Sequence, residues 1–151
     1  MENKNSLQFH MNMGKLISSV HNMLTRRFVQ NAHDAGLDIS LDQWMVLGPI
    51  HFHGDASQKL LSQFCFKDKT SITRIVNTLE KKNLVVRVPD QLDHRINRII
   101  LTNAGKQLFN DVLPIMNKTK KEVSRNIPES EIEIFKSVLI KIMSNLENEK
   151  S

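Results

Sequence analysis

The chain has 151 residues, of which 40% are hydrophobic and 25% are charged, a composition that excludes a disordered or fibrous protein and predicts one domain, residues 1–151. No apolar run approaches the ~20 residues that span a bilayer, and the N-terminus lacks the apolar segment of a signal peptide, so we expect a cytoplasmic protein with no membrane partner. The net charge of +5 favours a polyanionic partner if the basic side chains share one surface.

The first third of the chain predicts two helices. Apolar residues recur at helical spacing from Leu7 to about Ala35, which indicates a long first helix. Ser40 and Gln43 form the pattern of a capping box, in which each side chain satisfies a free amide at a helix start. We expect this second helix to end at Gly54 and to be bent or shortened by Pro49, which removes a backbone donor.

Two shorter helices follow, separated by a tight turn. Ser57 predicts the N-cap of a third helix from Gln58 to about Phe66, and Asp68 predicts that of a fourth helix from Lys69 to Lys82. Asn83 tolerates the left-handed conformation in which a helix ends.

The next segment predicts a hairpin and two long helices. Leu84–Val88 and Ile96–Leu101 are rich in β-branched residues and flank a polar connection that forms a candidate wing. Thr102 then predicts the cap of a fifth helix to about Asn126, and Pro128 the start of a sixth. This order indicates a mainly α fold with a small β-hairpin wing, a winged helix-turn-helix lobe over about residues 40–102.

The fourth helix has one apolar and one polar face. Arg suits guanine O6 and N7 and Asn suits adenine N6 and N7, so the polar face is typical of a helix that reads the major groove of double-stranded DNA. The candidate DNA-binding residues in this helix are Thr70, Ser71, Thr73, Arg74, Asn77 and Lys81.

Two segments resemble one known family. Asp93 to Gly105 resembles the wing signature of the MarR family, Asp-x-Arg through Leu-Thr-x-x-Gly, and Asp68 to Val85 is similar to the family's recognition helix and the start of its hairpin. Phe66 and Asn83 stand where the family usually has glycines. Since Phe adopts the left-handed region poorly, we expect the turn before the fourth helix to differ in shape.

The resemblance implies a function and a set of partners. It implies a transcriptional regulator, a repressor that binds a pseudo-palindromic operator as a homodimer through helices at about residues 7–35 and 103–149. It also implies a small aromatic or lipophilic effector. In the wing it implies that Arg95 enters the minor groove and that Asp93 steadies it, and Arg98 is the further candidate there.

Other functions have weaker support in the sequence. His51, His53 and Asp55 resemble the metal motif of metallo-β-lactamase-like hydrolases, but two His residues two positions apart on a helix point roughly 200° apart. We therefore expect no enzyme, no cofactor and no metal site. An adaptor that binds protein through its wing is the remaining alternative, and it would need exposed apolar anchors there. The single cysteine, Cys65, falls on the inward side of the third helix and is expected to be unreactive.

Overall fold

The computed structural model describes residues 12–148 of the chain, and the side chains of residues 12–147. These residues form six α-helices and three short strands, and the chain divides into two compact units, Met1–Thr119 and Lys120–Ser151. None of the helices in this range is both long and apolar enough to cross a membrane. In chain order the elements are α1 (Met13–Asp34), α2 (Leu41–His53), β1 (Ala56–Ser57), α3 (Gln58–Cys65), α4 (Lys69–Lys81), β2 (Val85–Pro89), β3 (Asn97–Leu101), α5 (Asn103–Val123) and α6 (Glu129–Asn148).

The helix starts follow the capping residues that the sequence predicts. The predicted start at Leu7 lies outside the described residues, and α1 is described from Met13 onward. At α2 the Ser40 hydroxyl accepts from the amide of Gln43 at 3.1 Å, and the Gln43 side chain accepts from the amide of Ser40 at 3.2 Å. The capping box is therefore confirmed, as are the caps Ser57 for α3 and Asp68 for α4.

Pro49 does not shorten α2, which was one of the two effects expected of it, and the predicted end of the helix at Gly54 is confirmed. The helix continues to His53 and ends at Gly54, which has a φ of 81°. Pro49 lacks an N–H and therefore leaves the carbonyl of Met45, four residues earlier, without its helical donor. The thiol of Cys65 lies 3.5 Å from that oxygen and donates to it, so a neighbouring helix supplies a donor at the position where the proline cannot.

The sheet has one strand that the sequence did not predict. Its order is β1-β3-β2 and both pairings are antiparallel. The predicted hairpin is confirmed, although β2 and β3 each begin one residue later than expected. β1 has only two residues, Ala56 and Ser57, which pair with Ile99 and Arg98; a segment this short carries no period-2 pattern.

The core of the first unit lies where α2, α4 and the sheet meet. Its fully buried members include Leu47 and Ile50 from α2, Ile72, Val76 and Leu79 from α4, and Val85 and Ile99 from the hairpin. The members from α2 and α4 are inward residues that the helical periodicities predict. The wing and α4 are thus fixed to one packed body.

The start of α5 is tied directly to the end of α4 and the start of β2. The Thr102 hydroxyl donates to the carbonyl of Asn83 at 2.6 Å and accepts from the amide of Gly105 at 3.0 Å. A Cβ on Gly105 would lie 2.0 Å from the carbonyl oxygen of Leu84. Only glycine allows this approach, because any side chain would collide with backbone.

The turn between α3 and α4 is left-handed even though it holds a phenylalanine. Phe66 has φ 51° and ψ 41°, and its side chain is exposed. A left-handed conformation costs a non-glycine residue roughly 1–2 kcal/mol, partly offset by the greater chain entropy that glycine loses on folding. We expect Phe66→Gly to raise the free energy of unfolding by up to about 1 kcal/mol in urea denaturation. If Phe66→Gly keeps the fold and its free energy of unfolding does not rise, local contacts of Phe66 offset the strain of its left-handed conformation.

The second unit, Lys120–Ser151, contains α6. Asn126 precedes it in a left-handed conformation with a φ of 60°. On α6 the ammonium of Lys136 pairs with Glu133 at 2.6 Å. Three apolar side chains of α6, those of Phe135, Val138 and Leu146, are exposed in the single chain.

Candidate nucleic-acid interface

The outer face of α4 presents four polar side chains in one row. Thr70, Arg74, Asn77 and Lys81 are exposed and follow one another at intervals of four, three and four residues, the spacing of one helical face. Within the described residues the side chain of Arg74 forms no hydrogen bond or ion pair. The Arg74 side chain is therefore available to bind, and contact of the row with DNA stays a prediction.

Ser71 and Thr73, two further candidates, have partners inside the protein. The hydroxyl of Ser71 donates to the Asp68 carboxylate at 2.8 Å, and that carboxylate also accepts from the Ser71 amide at 2.8 Å. These hydrogen bonds lower the pKa of Asp68 below its ordinary value. The Thr73 hydroxyl donates to the carbonyl of Lys69 at 2.8 Å and accepts from the side chain of Gln58 at 2.7 Å. Both hydroxyls thus hold the start of α4 in place.

The wing tip contains the ion pair that the resemblance implies. The guanidinium of Arg95 donates to Asp93 through Nε at 3.0 Å and through Nη2 at 3.2 Å. The Arg95 side chain is nevertheless 91% exposed. The hydrogen bond from Arg95 holds the pKa of Asp93 below its ordinary value, so this carboxylate is charged at neutral pH. Entry of Arg95 into a minor groove stays a prediction.

Asp90 organises the base of the wing, and the sequence did not single out this role. One of its oxygens accepts from the amides of Leu92 at 2.8 Å and Asp93 at 3.0 Å, and the other from Nε of Arg98 at 2.7 Å. These bonds, the one from Arg98 first, lower the pKa of Asp90 to about 2. Arg98 also reaches Asp55 at 3.3 Å, so the candidate Arg98 is held between two carboxylates.

A basic groove of about 800 Å³ separates the wing from the starts of α3 and α4. Five of its lining residues are cationic and one is acidic, so it favours anions such as phosphate. The lining residues are Ser57, Gln58, Lys59, Ser62, Lys67, Asp68, Lys69, Arg95, Ile96, Asn97 and Arg98. A sequence pattern could not show this groove, because its cations come from separate segments of the chain.

The three residues of the candidate metal motif have different partners. The ring of His51 stacks on Phe109 with centroids 3.9 Å apart, and the ring of His53 lies 5.4 Å from that of Phe64. Asp55 pairs with Arg98. Among the described residues no group of three His, Cys, Asp or Glu side chains is arranged to hold a metal ion.

Cys65 is half-buried against the core rather than fully enclosed. Burial raises the pKa of its thiol, although the nearby Lys67 acts in the opposite direction. A raised pKa means less thiolate at neutral pH. The geometry is that of a slow-reacting thiol, and its lack of reactivity stays a prediction.

Comparison with known proteins finds a match to one family model and to one fold. The sequence model of the MarR family matches residues 36–96, which span α2, β1, α3, α4, β2 and the wing tip. A MarR variant from E. coli in complex with operator DNA is similar in structure, with a TM-score of 0.81 and 23% identity over 89% of this chain and 96% of that one.

Two further solved structures have the same fold. BpsR of Bordetella bronchiseptica, whose DNA binding is regulated by 6-hydroxynicotinic acid, matches with a TM-score of 0.82 and 18% identity over 89% of this chain and 95% of that one. The transcriptional repressor CouR, bound to a 23-mer DNA duplex, matches with a TM-score of 0.80 and 14% identity over 90% of this chain and 95% of that one.

Proposed function

We propose that the protein is a sequence-specific regulator of transcription that binds double-stranded DNA, as the match of residues 36–96 to the sequence model of the MarR family supports. The observation that carries the proposal is the pairing of an exposed polar row on α4 with an exposed arginine fork on the wing, on either side of a basic groove. If α4 lies in the major groove of DNA and Arg95 in the adjacent minor groove, the phosphate backbone between these two DNA grooves lies over the basic groove of the protein.

The proposal includes a homodimer formed by the whole chain, residues 1–151, as a single functional domain. In α1 a row of apolar side chains, Met13, Leu16, Ile17, Val20 and Met23, is between 40% and 62% exposed in the single chain. Contiguous apolar surface of this kind marks an interaction site. A second copy would cover it, and two winged lobes would then face two half-sites of a pseudo-palindrome.

The remaining parts of the proposal follow the relatives. CouR is a repressor and BpsR responds to 6-hydroxynicotinic acid, so we propose a cytoplasmic repressor, not an enzyme, that a small aromatic or lipophilic molecule releases from DNA. Such an effector acts only through its different affinity for the DNA-competent and DNA-incompetent states.

Selection of bound sequences from a random duplex pool tests the proposal. We expect an enriched palindrome, a dimer by sedimentation at micromolar concentration, and an affinity that falls steeply with salt because several phosphates are neutralised. A monomer that enriches no sequence would overturn the proposal. Binding that ignores ionic strength would exclude the phosphate contacts that it requires.

One observation favours the alternative of a protein-binding wing. Leu92, at the wing tip, is 98% exposed, and an apolar anchor is what such a wing would use. An adaptor would lose its partner with Leu92→Ser and would enrich no DNA sequence. A DNA-binding regulator would keep its enriched palindrome.

A further inference from the structure

Arg87, on β2, joins two side chains of the α4 polar face. Its Nη2 donates to Oδ1 of Asn77 at 2.7 Å, and its Nη1 pairs with Oε2 of Glu80. Asn77 and Glu80 are three residues apart and are therefore neighbours on the helix surface. We call these three residues the Arg87 cluster.

The first consequence concerns charge. Glu80 is the single acidic residue within α4, and its side chain is 41% exposed. An unpaired carboxylate on a helix in the major groove would repel the phosphates on either side of it. The guanidinium of Arg87 neutralises the negative charge of the Glu80 carboxylate.

The second consequence concerns hydrogen bonding. A guanidinium only donates, so the Asn77 amide must turn its oxygen toward Arg87 and its NH2 group away. Asn77 is thereby presented as a donor, which suits acceptors such as guanine O6 and N7 or thymine O4. A bidentate contact with adenine would require the same oxygen to accept a second hydrogen bond.

On the basis of the proposed function, we propose that Arg87 is a positioning residue for DNA recognition, which acts through Glu80 and Asn77 rather than by touching DNA. Its side chain is only 19% exposed, against 91% for Arg95. Its donors already face two partners on α4. Arg87 therefore orients the recognition surface through its contacts with α4 and not through contact with DNA.

A double-mutant cycle tests this role on the duplex that the wild-type protein enriches. We expect Arg87→Ala to weaken binding by roughly tenfold and Glu80→Gln, added to it, to restore most of the loss, since residues in one network show such coupling. Glu80→Gln alone should change affinity by less than about threefold, because it removes one charge at the surface. Arg87→Lys, which keeps a cation beside Glu80, should retain most of the affinity.

The matched control separates local pairing from total charge. Lys81→Ala removes one positive charge from the same helix, and Glu80→Gln in that background makes the same charge change. We expect Glu80→Gln to help the Arg87→Ala protein much more than the Lys81→Ala protein. Equal help in both backgrounds would show that only net charge matters and would overturn the proposal.

A direct phosphate contact by Arg87 predicts a different result. Glu80→Gln would then fail to rescue Arg87→Ala, and the slope of log affinity against log salt would fall by about one. That result, or an Arg87→Ala protein with unchanged binding, overturns the inference while the proposed function stands. A wild-type protein that enriches no duplex refutes the proposed function instead.

Thermal unfolding checks that each variant folds. Arg87→Gln, which is also a long polar side chain, replaces Arg87→Ala if the latter is unfolded.

Discussion

Arg74→Ala is expected to remove discrimination at particular operator positions while leaving general DNA affinity less affected. Arg74 lies in the exposed row of α4, and its side chain forms no hydrogen bond or ion pair within the described residues. A bidentate contact with a base contributes about 1–3 kcal/mol of discrimination, which corresponds to roughly 5- to 150-fold in relative affinity. The measurement is binding to the enriched operator and to its single-base variants at one salt concentration.

Lys81→Ala is the matched control for this experiment. Lys81 is exposed on the same row and carries the same charge, but it lies at the end of α4. A lysine that contacts phosphate weakens binding to all sequences about equally when it is removed. If Arg74→Ala behaves like Lys81→Ala, with every sequence weakened by the same factor, Arg74 is a phosphate contact and the assignment of base reading to it is wrong.

The polar face of α4 could be predicted from the sequence because it depends on helical periodicity alone. Ile72, Val76 and Leu79 are buried as expected, and the polar residues between them face outward. The caps were equally predictable, because Ser40, Ser57 and Asp68 act on amides within three residues of themselves. Both signals depend only on residues that lie close together in the sequence.

The rest of the site depends on contacts between distant segments. Arg87 meets Asn77 only because β2 packs beside α4, and Arg98 meets Asp55, 43 residues earlier, only because β1 adds to the sheet. β1 itself was missed because its two residues have no periodicity. A lone arginine among the β-branched residues of β2 was the one available sign of Arg87, and it does not specify a partner.

Two residues that suggest irregular local structure are accommodated by their surroundings. Pro49 predicts a bent or shortened helix, yet α2 runs to His53 and the Cys65 thiol supplies the donor that the Met45 carbonyl lacks. Phe66 predicts an altered turn, yet Phe66 takes the left-handed conformation that a glycine would take there. At Pro49 a contact with a neighbouring helix offsets the local preference, whereas the exposed Phe66 adopts the left-handed conformation with local backbone hydrogen bonds at the end of α3.

Arg95→Ala is expected to weaken binding to all duplexes and to reduce any preference for A·T-rich flanks. Arg95 is the exposed end of the wing, and a narrow minor groove concentrates negative potential that favours an inserted guanidinium. The minor groove carries a degenerate code, so little base-specific information is lost. A hydrogen bond to a charged group contributes about 1.5–3 kcal/mol, so the loss should be on the order of tenfold or more. Titrations with duplexes that differ only in their flanks measure both effects.

Asp93→Ala tests whether the Asp93–Arg95 pair positions that guanidinium. Simple electrostatics predicts that removing a negative charge near DNA tightens binding. The ion pair between Asp93 and Arg95 predicts the opposite, namely that Asp93→Ala weakens DNA binding in the same way as Arg95→Ala but less strongly. The expected loss of affinity is up to about fivefold, because an exposed ion pair contributes at most about 1 kcal/mol. Asp111→Ala, which removes the same charge from α5 where its partner is the neutral Gln107, is the control and should not weaken binding. If Asp93→Ala tightens binding while Arg95 remains, the pair does not orient Arg95, and the wing acts only as a diffuse positive charge.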